Sequence, residues 1–283
     1  MKKLNLEEKF FTFLMFLSAI IISAVFILLL VVIFVKAMPA LSFDMITKTP
    51  SGGSYSGSSG GILNAILGSI YLSIGAVFIS FIISLPTALY INFYLKKTKI
   101  RDTIRIILDV MWGIPSIVYG AFGFIVMVNF GIRSSLLAGM ITVAIFITPI
   151  MIRAMDEIFI TVPRGLYESA ISLGALRGEI SFKVMTRQCM AGIVSAILLS
   201  FGRGIGDAAS VLFTAGYSDH IATSLNQPTA TLPLAVFFQA GSPFPEVRQK
   251  AYAAAAILTI IILIISISTR FLLKKYSHHK IKL

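Results

Sequence analysis

Residues 168–187 read ESAISLGALRGEISFKVMTR, a charged stretch that lies between two long apolar segments. Upstream of it, Thr161 and Pro163 have the character of a helix start. Gly174 then interrupts the helical pattern of the stretch. The sequence therefore predicts two short helices joined by a turn at Gly174, within a loop of about 154–188 that projects from the rest of the molecule.

The composition on either side of this loop is that of a membrane protein. Of the 283 residues, 57% are hydrophobic and only 13% are charged, whereas soluble domains carry about 25% charged residues. A helix that crosses a membrane needs roughly 20 apolar residues. We therefore predict an all-α integral membrane protein with six transmembrane helices, and a helix pair between spans four and five. The candidate spans are 10–35, 62–95, 104–129, 134–153, 189–216 and 251–273.

The first span is too long and lacks the cleavage site of a signal peptide, so we interpret it as a retained anchor. Residues 1–61 then form a tail, this anchor and a flexible Gly/Ser-rich loop, SGGSYSGSSGG at 51–61. Residues 62–283 form the main membrane domain. A second outer loop, 217–250, contains the apolar patch LAVFF at 234–238, which is too short to span and suits an interfacial or re-entrant helix.

The distribution of basic residues sets the orientation. Most of the 24 lysines and arginines fall at the two termini and in alternate loops, which the positive-inside rule places in the cytoplasm. Both termini are then cytoplasmic, and the formal net charge of +12 needs no nucleic-acid partner.

The fifth span contains SFGRGIGDAAS at 200–210, with Arg203 and Asp207 four residues apart. On one helix these two side chains can form an ion pair. Either the pair only makes the helix insertable, or it marks the path of a solute, since charges within spans usually face a cavity. A guanidinium group suits an oxyanion because it is a forked and permanent donor.

Other polar residues have two interpretations of the same kind. Asn64, Ser69 and Tyr119, on spans two and three, either form hydrogen bonds that pack the helices or line the path. Pro86 and Pro115 predict kinks, and we place Asp109 at the membrane interface. Cys189 is interpreted as a packing residue. His220, His278 and His279 have no partners at metal-site spacing, so no metal site is predicted.

Several motifs together resemble a known family. Glu168, Ser169, Ala170 and Gly174 follow the EAA loop of ABC-transporter permeases, with Ser169 in place of the usual alanine. The stretches 60–73 (GGILNAILGSIYLS), 108–123 (LDVMWGIPSIVYGAFG) and 201–216 (FGRGIGDAASVLFTAG) resemble, in this order, segments of phosphate-specific ABC permeases. The Gly/Ser loop favours the A-type subunit, PstA, over its C-type partner. Gly204 and Asp207-Ala208 depart from the family's Ala and Glu-Thr.

This resemblance implies a subunit of a phosphate importer in the bacterial plasma membrane. It implies a second homologous permease, two cytoplasmic ATPase subunits and an extracytoplasmic phosphate-binding protein as partners, besides membrane lipid. Glu168, Ser169, Ala170, Gly174 and Arg177 would contact the ATPases. The chain contains no G-x-x-x-x-G-K-[ST] motif, so ATP would be bound by those partners, and the chain itself would be neither an enzyme nor the carrier of a cofactor.

Two alternatives stay open at this point. The alternative of the same class is a permease for another oxyanion or small polar solute. A self-contained ion channel or secondary transporter would also place charge within the membrane, although it has no need of an EAA-type helix pair.

Overall fold

The computed structural model describes residues 6–51, 60–95 and 98–276, and in these ranges the chain is helical. An isolated antiparallel bridge joins Pro50 to Gly60. Most of the Gly/Ser-rich segment, together with His278 and His279, lies outside the described residues. The described part of the chain confirms the all-helical class.

Within the described ranges, four helices are long and apolar enough to cross a membrane, and there are up to six spans if each of two bent helix pairs is counted as one. The four are α1 (Leu6–Ala37), α3 (Leu63–Leu89, continued by a π-helix at Tyr90–Tyr94), α6 (Leu136–Ile160) and α12 (Pro245–Tyr276). The shorter helices are α2 (Phe43–Thr47), α4 (Thr98–Gly113), α5 (Ser116–Asn129), α7 (Arg164–Ser172), α8 (Arg177–Glu179, continued by a π-helix at Ile180–Met185), α9 (Thr186–Gln188), α10 (Met190–Ile205) and α11 (Leu232–Ala240).

The third span is not the single helix predicted at 104–129. Helices α4 and α5 meet at an angle of 92°. The break falls at Gly113–Ser116, where Pro115 has an extended ψ of 138° and precedes the first residue of α5. A proline lacks the N–H that would continue the α4 hydrogen-bond ladder, and it forces the residue before it out of the helical region. The predicted kink is therefore a complete break.

The fifth span also differs from the prediction. Helix α10 begins at Met190, bent by 76° from the preceding Arg177–Gln188 segment, and it ends at Ile205. Residues 207–216, predicted as the second half of this span, form turns. Glycines at 202, 204 and 206 weaken the end of the helix, whereas the hydropathy that suggested a continuous span does not register such a break.

The loop between spans four and five has the predicted helix–turn–helix form, with a later start. Helix α6 runs to Ile160, seven residues beyond the predicted end at 153, and α7 follows Pro163. We call α7, the turn at 173–176 and the Arg177–Gln188 segment the coupling pair. Gly174 has φ +82°, a left-handed conformation that glycine adopts without steric cost.

The centre of the molecule is the packing of α3 against α6. Ser80, Ser84 and Thr148 form a buried polar contact between them, in which the Thr148 hydroxyl donates to Ser80 Oγ at 3.1 Å. Helix α11, which contains the 234–238 patch, packs on α3 and α12 with Leu234 and Ala235 fully buried. In contrast, the apolar surface of α1 is exposed to the surroundings, as expected of a helix that faces lipid.

Candidate functional site

Arg203 lies in the last turn of α10, and its side chain is exposed. Its guanidinium carbon lies 5.0 Å from the centre of the Phe146 ring, which is within the range of a cation–π interaction. Phe146 is buried on α6, and its ring centre lies 5.6 Å from that of Tyr119 on α5. The structure thus brings together two of the predicted path residues, Arg203 and Tyr119, on one buried aromatic ring.

The predicted ion pair between Arg203 and Asp207 is wrong. Because α10 ends at Ile205, Asp207 is not on the helix, and four-residue spacing no longer places the two side chains on one face. Asp207 Oδ2 instead accepts a hydrogen bond from the Ser210 N–H at 2.7 Å and stabilises the turn that follows the helix. No salt bridge joins Arg203 to any carboxylate in the part of the chain that the structure describes.

Two of the motifs singled out from the sequence are in contact. The Tyr119 hydroxyl donates to the Met111 carbonyl at 2.8 Å and so spans the break between α4 and α5. A Cβ added to the neighbouring Gly120 would lie 2.7 Å from the Ala209 carbonyl oxygen, so only glycine allows the turn after Asp207 to pack this closely. Glycine at 120 and tyrosine at 119 thereby fix the position of the Arg203–Asp207 region relative to α5.

Asn64 and Ser69 are both buried on α3. The Asn64 amide donates to the Ser218 carbonyl at 2.6 Å, and Ser69 Oγ accepts from the Leu232 N–H at 2.7 Å. These bonds hold the 217–232 segment against α3. They satisfy the packing interpretation, and the role of either residue in a solute path stays a prediction.

The coupling pair presents its tip to the solvent. Glu168, Ser169 and Arg177 are exposed and Ala170 is half-buried. Beside Gly174, the exposed fractions of Leu173 and Leu176 are 88% and 72%. An apolar pair this exposed on a tight turn is typical of a surface that a partner covers.

The second half of the coupling pair is stabilised at its start by Glu179. The Glu179 carboxylate accepts from the Leu176 N–H at 3.3 Å and pairs with Lys183 at 3.1 Å. The hydrogen bond from Lys183, followed by that from the Leu176 N–H, lowers the pKa of Glu179 below its ordinary value. The carboxylate therefore stays ionised at neutral pH and keeps the N-terminus of α8 capped.

Aromatic contacts connect the coupling pair to the membrane helices. Tyr167 of α7 stacks on Phe93 of the first π-helix, with ring centres 6.1 Å apart, and Phe93 also packs edge-on against Phe159 at the end of α6 at 5.6 Å. Ile180 and Met185 from the second half of the pair are fully buried. These contacts pack the helix pair directly against the ends of α3 and α6.

A buried ionic cluster at the end of α6 was missed in the sequence. Asp156, which has no exposed surface, accepts two hydrogen bonds from Arg105 (2.8 and 2.9 Å), one from Arg153 (2.6 Å) and one from Asn92 (2.8 Å). Arg153 also pairs with Asp109 at 2.7 Å. Asp109 was expected to lie at the membrane interface, and its ionic partner was not predicted. The cluster was not predicted because span four was expected to end at 153, which assigned Asp156 to a loop and not to α6.

Cys189 is buried at the bend before α10, as the packing interpretation requires. His220 lies exposed in the 217–232 segment. Across the described ranges, no group of three His, Cys, Asp or Glu side chains is arranged to hold a metal ion.

Comparison with known proteins gives consistent matches. A sequence model described as "Binding-protein-dependent transport system inner membrane component" matches residues 82–279. The phosphate transport system permease protein PstA of Pasteurella multocida is 33% identical over 83% of this chain and 83% of its own length, and that of Haemophilus influenzae is 31% identical over 83% and 82%. A probable ABC transporter permease protein of Bacillus subtilis, YqgI, is 28% identical over 95% of both chains.

Among solved structures, the MetNI methionine ABC transporter in an inward-facing conformation aligns with a TM-score of 0.62 at 17% identity. The alignment covers 76% of this chain and 95% of the other. At this identity the likeness supports the fold alone.

Proposed function

We propose that this chain, which belongs to the family of binding-protein-dependent transport system inner membrane components, is the PstA-type permease subunit of an ATP-driven phosphate importer. Membership of the family makes it a non-catalytic membrane subunit of an ABC transporter. Phosphate as the solute is supported by the PstA relatives, which are at least 31% identical over more than four fifths of the chain.

The observation that carries the proposal is the exposed guanidinium of Arg203, which has no carboxylate partner among the described residues. A charged side chain at membrane depth is costly against lipid and faces a cavity or a partner instead. Its guanidinium carbon lies 5.0 Å from the centre of the Phe146 ring, and no carboxylate of the described residues uses its hydrogen-bond donors. This is the geometry that a phosphate oxyanion requires of a transient binding station.

The exposed position of Arg203 also supports a path at this surface of the subunit. In a heteromeric complex, the second homologous permease would cover this surface, so the path would lie between the two subunits. An extracytoplasmic phosphate-binding protein would deliver the anion to the opposite side from the coupling pair.

Two cytoplasmic ATPase subunits would receive the coupling pair. Leu173 and Leu176 would enter an apolar groove of the ATPase, with Glu168, Ser169, Ala170, Gly174 and Arg177 at or beside this contact. Closure of the ATPase dimer would then move Tyr167 and, through Phe93, the end of α3. The orientation with both termini in the cytoplasm follows from the basic residues and is part of the proposal.

The proposal is tested by the ATPase activity of the reconstituted complex. Phosphate-loaded binding protein should stimulate ATP hydrolysis, whereas the same protein with sulfate or molybdate should not. Stimulation by another oxyanion alone would assign the chain to a permease for that solute. Solute flux through the purified chain without ATPase subunits would indicate a channel or secondary transporter.

A further inference from the structure

A polar cavity lies between the coupling pair and α4, and Arg203 is not among its lining residues. Its volume is about 350 Å³, and it is walled by both polar and aromatic side chains. Arg101 and Arg105 come from α4, Asn92 and Phe93 from the first π-helix, and Tyr167 from α7. The cavity thus touches the coupling pair on one side and the membrane helices on the other.

Hydrogen-bond donors in this cavity lack acceptors. Arg101 Nε is buried without a hydrogen-bond partner, and the nearest carboxylate oxygen, on Asp102, lies 3.9 Å away. Arg105 donates from Nε and Nη2 to Asp156 and from Nη2 to Asn92, which leaves Nη1 uncommitted among the described residues. Tyr167 also lines the cavity. Buried donors are usually satisfied, so an unsatisfied one indicates a missing acceptor.

The charge around the cavity favours an anionic acceptor. Arg101 and Arg105 line the cavity, and no carboxylate is among the described residues that do so. Asp156 fixes the guanidinium of Arg105 by two hydrogen bonds, so this cation is already oriented before a ligand arrives. Guanidinium groups are suited to the oxygens of phosphate because their planar fork donates two bonds at once.

We propose that this cavity is a regulatory site for an anionic phosphate group, held by Arg101 and Arg105 with the Tyr167 hydroxyl as a further donor. A bound phosphate would join α4 to α7 and restrain the coupling pair, which slows ATP hydrolysis. This restraint rests on the function proposed above, whereas binding to the cavity does not. The same chemistry is offered by free inorganic phosphate and by the headgroup of an anionic phospholipid.

Amide hydrogen exchange in the full complex tests binding directly. In nanodiscs of phosphatidylcholine, added inorganic phosphate should slow exchange in residues 164–172 of the wild type. In Arg101→Gln, the concentration needed for half of this protection should rise about tenfold, as expected when one charged hydrogen bond is lost. Tyr167→Phe keeps the ring stack on Phe93 and should cause a smaller rise.

Lys99→Gln is the matched control, since Lys99 is exposed on the same helix and does not line the cavity. Lys99→Gln removes the same charge. The phosphate concentration that gives half of the protection should change by less than about twofold, because exposed charges are screened by solvent and salt. An equal effect of Arg101→Gln and Lys99→Gln would show general electrostatic attraction, and the proposed site would be wrong.

Nanodiscs that contain phosphatidylglycerol separate the two sources. If the lipid headgroup is the ligand, this lipid alone should protect residues 164–172, and Arg101→Gln should abolish the protection. If neither inorganic phosphate nor phosphatidylglycerol slows exchange in residues 164–172 of the wild type, the proposal is wrong. Because hydrogen exchange needs no turnover, a complex that is protected by phosphate but not stimulated by phosphate-loaded binding protein would contradict only the proposed function.

Discussion

Arg203 owes its exposure to the three glycines around it. They end α10 at Ile205, so that Asp207 turns away to cap the Ser210 N–H while Arg203 stays on the last helical turn. Gly204 is buried, and a Cβ there would lie 3.2 Å from Val143, which brings the end of α10 close to α6 and places Arg203 over Phe146. The cation is thus held by packing and not by an opposite charge.

Replacement of Arg203 should therefore affect transport much more than assembly. Arg203→Lys keeps the charge and loses the planar fork, so phosphate uptake should fall by at least about tenfold, the equivalent of one charged hydrogen bond. Arg203→Met should abolish uptake and leave the yield of complex unchanged, because no carboxylate in the described chain loses a partner.

The control for this prediction is Arg133→Met. Arg133 is exposed in the loop before α6, and its loss should leave uptake near the wild-type level. Wild-type uptake by a well-assembled Arg203→Met complex would show that Arg203 is not part of the path.

At the scale of elements, the end of α6 is joined to α3 and α4 through a single carboxylate. Asp156 is fully buried and carries hydrogen bonds from Asn92, Arg105 and Arg153. Arg105 would lose its ionic partner if the carboxylate were removed, whereas Arg153 would keep Asp109 and Glu157. Loss of one member of a buried ionic cluster costs far more than loss of an exposed pair.

Asp156→Ala should accordingly lower the free energy of unfolding by about 3–5 kcal/mol. Asp109→Ala removes a carboxylate from the same cluster, but its side chain is 50% exposed, so the expected cost is below about 1 kcal/mol. Thermal unfolding of the two purified variants in one detergent measures the difference. Equal midpoints would mean that Asp156 does not hold these helices together.

The turn of the coupling pair depends on Gly174, which has a left-handed backbone and no atom close enough to hinder a Cβ. Gly174→Ala should destabilise the turn by about 1–2 kcal/mol through its backbone conformation alone. Less ATPase subunit should then copurify with the permease, and uptake should fall.

Gly165→Ala is the matched substitution, because Gly165 lies in α7, also has open space around it, and is absent from the left-handed glycines. It should leave copurification unchanged, since alanine favours a helix. If Gly174→Ala and Gly165→Ala copurify with equal amounts of ATPase subunit, the conformation of the turn does not determine ATPase binding.

At the scale of the whole molecule, the helical class and the helix–turn–helix form around Gly174 followed from the sequence. Composition and 20-residue apolar runs identify membrane helices. Pro163 and Gly174 determine the backbone at their own positions, where a helix begins and where the turn lies. The breaks at Gly113–Ser116 and after Ile205 could not be predicted from hydropathy, because both lie within apolar runs. The partners of Asp156 could not be predicted either, since Asn92, Arg105 and Arg153 meet only when three helices pack.

The orientation of the molecule is open to a direct test by labelling. Single cysteines at positions 133 and 172, in a Cys189→Ala background, should react with an impermeant maleimide from opposite sides of the membrane. Position 133 should react from outside, and position 172, in the coupling pair, only from the cytoplasm. Reaction of both from the same side would overturn the proposed arrangement of spans.

The central claim is that this subunit forms a phosphate path that ATP hydrolysis drives, and the uptake of radiolabelled phosphate by proteoliposomes tests it most directly. The vesicles would contain the complete complex, with ATP inside and the binding protein outside. The expected result is accumulation of phosphate that needs both additions, competes with unlabelled phosphate but not with sulfate, and is lost in Arg203→Met. ATP-driven accumulation of another solute, without competition by phosphate, would contradict the account.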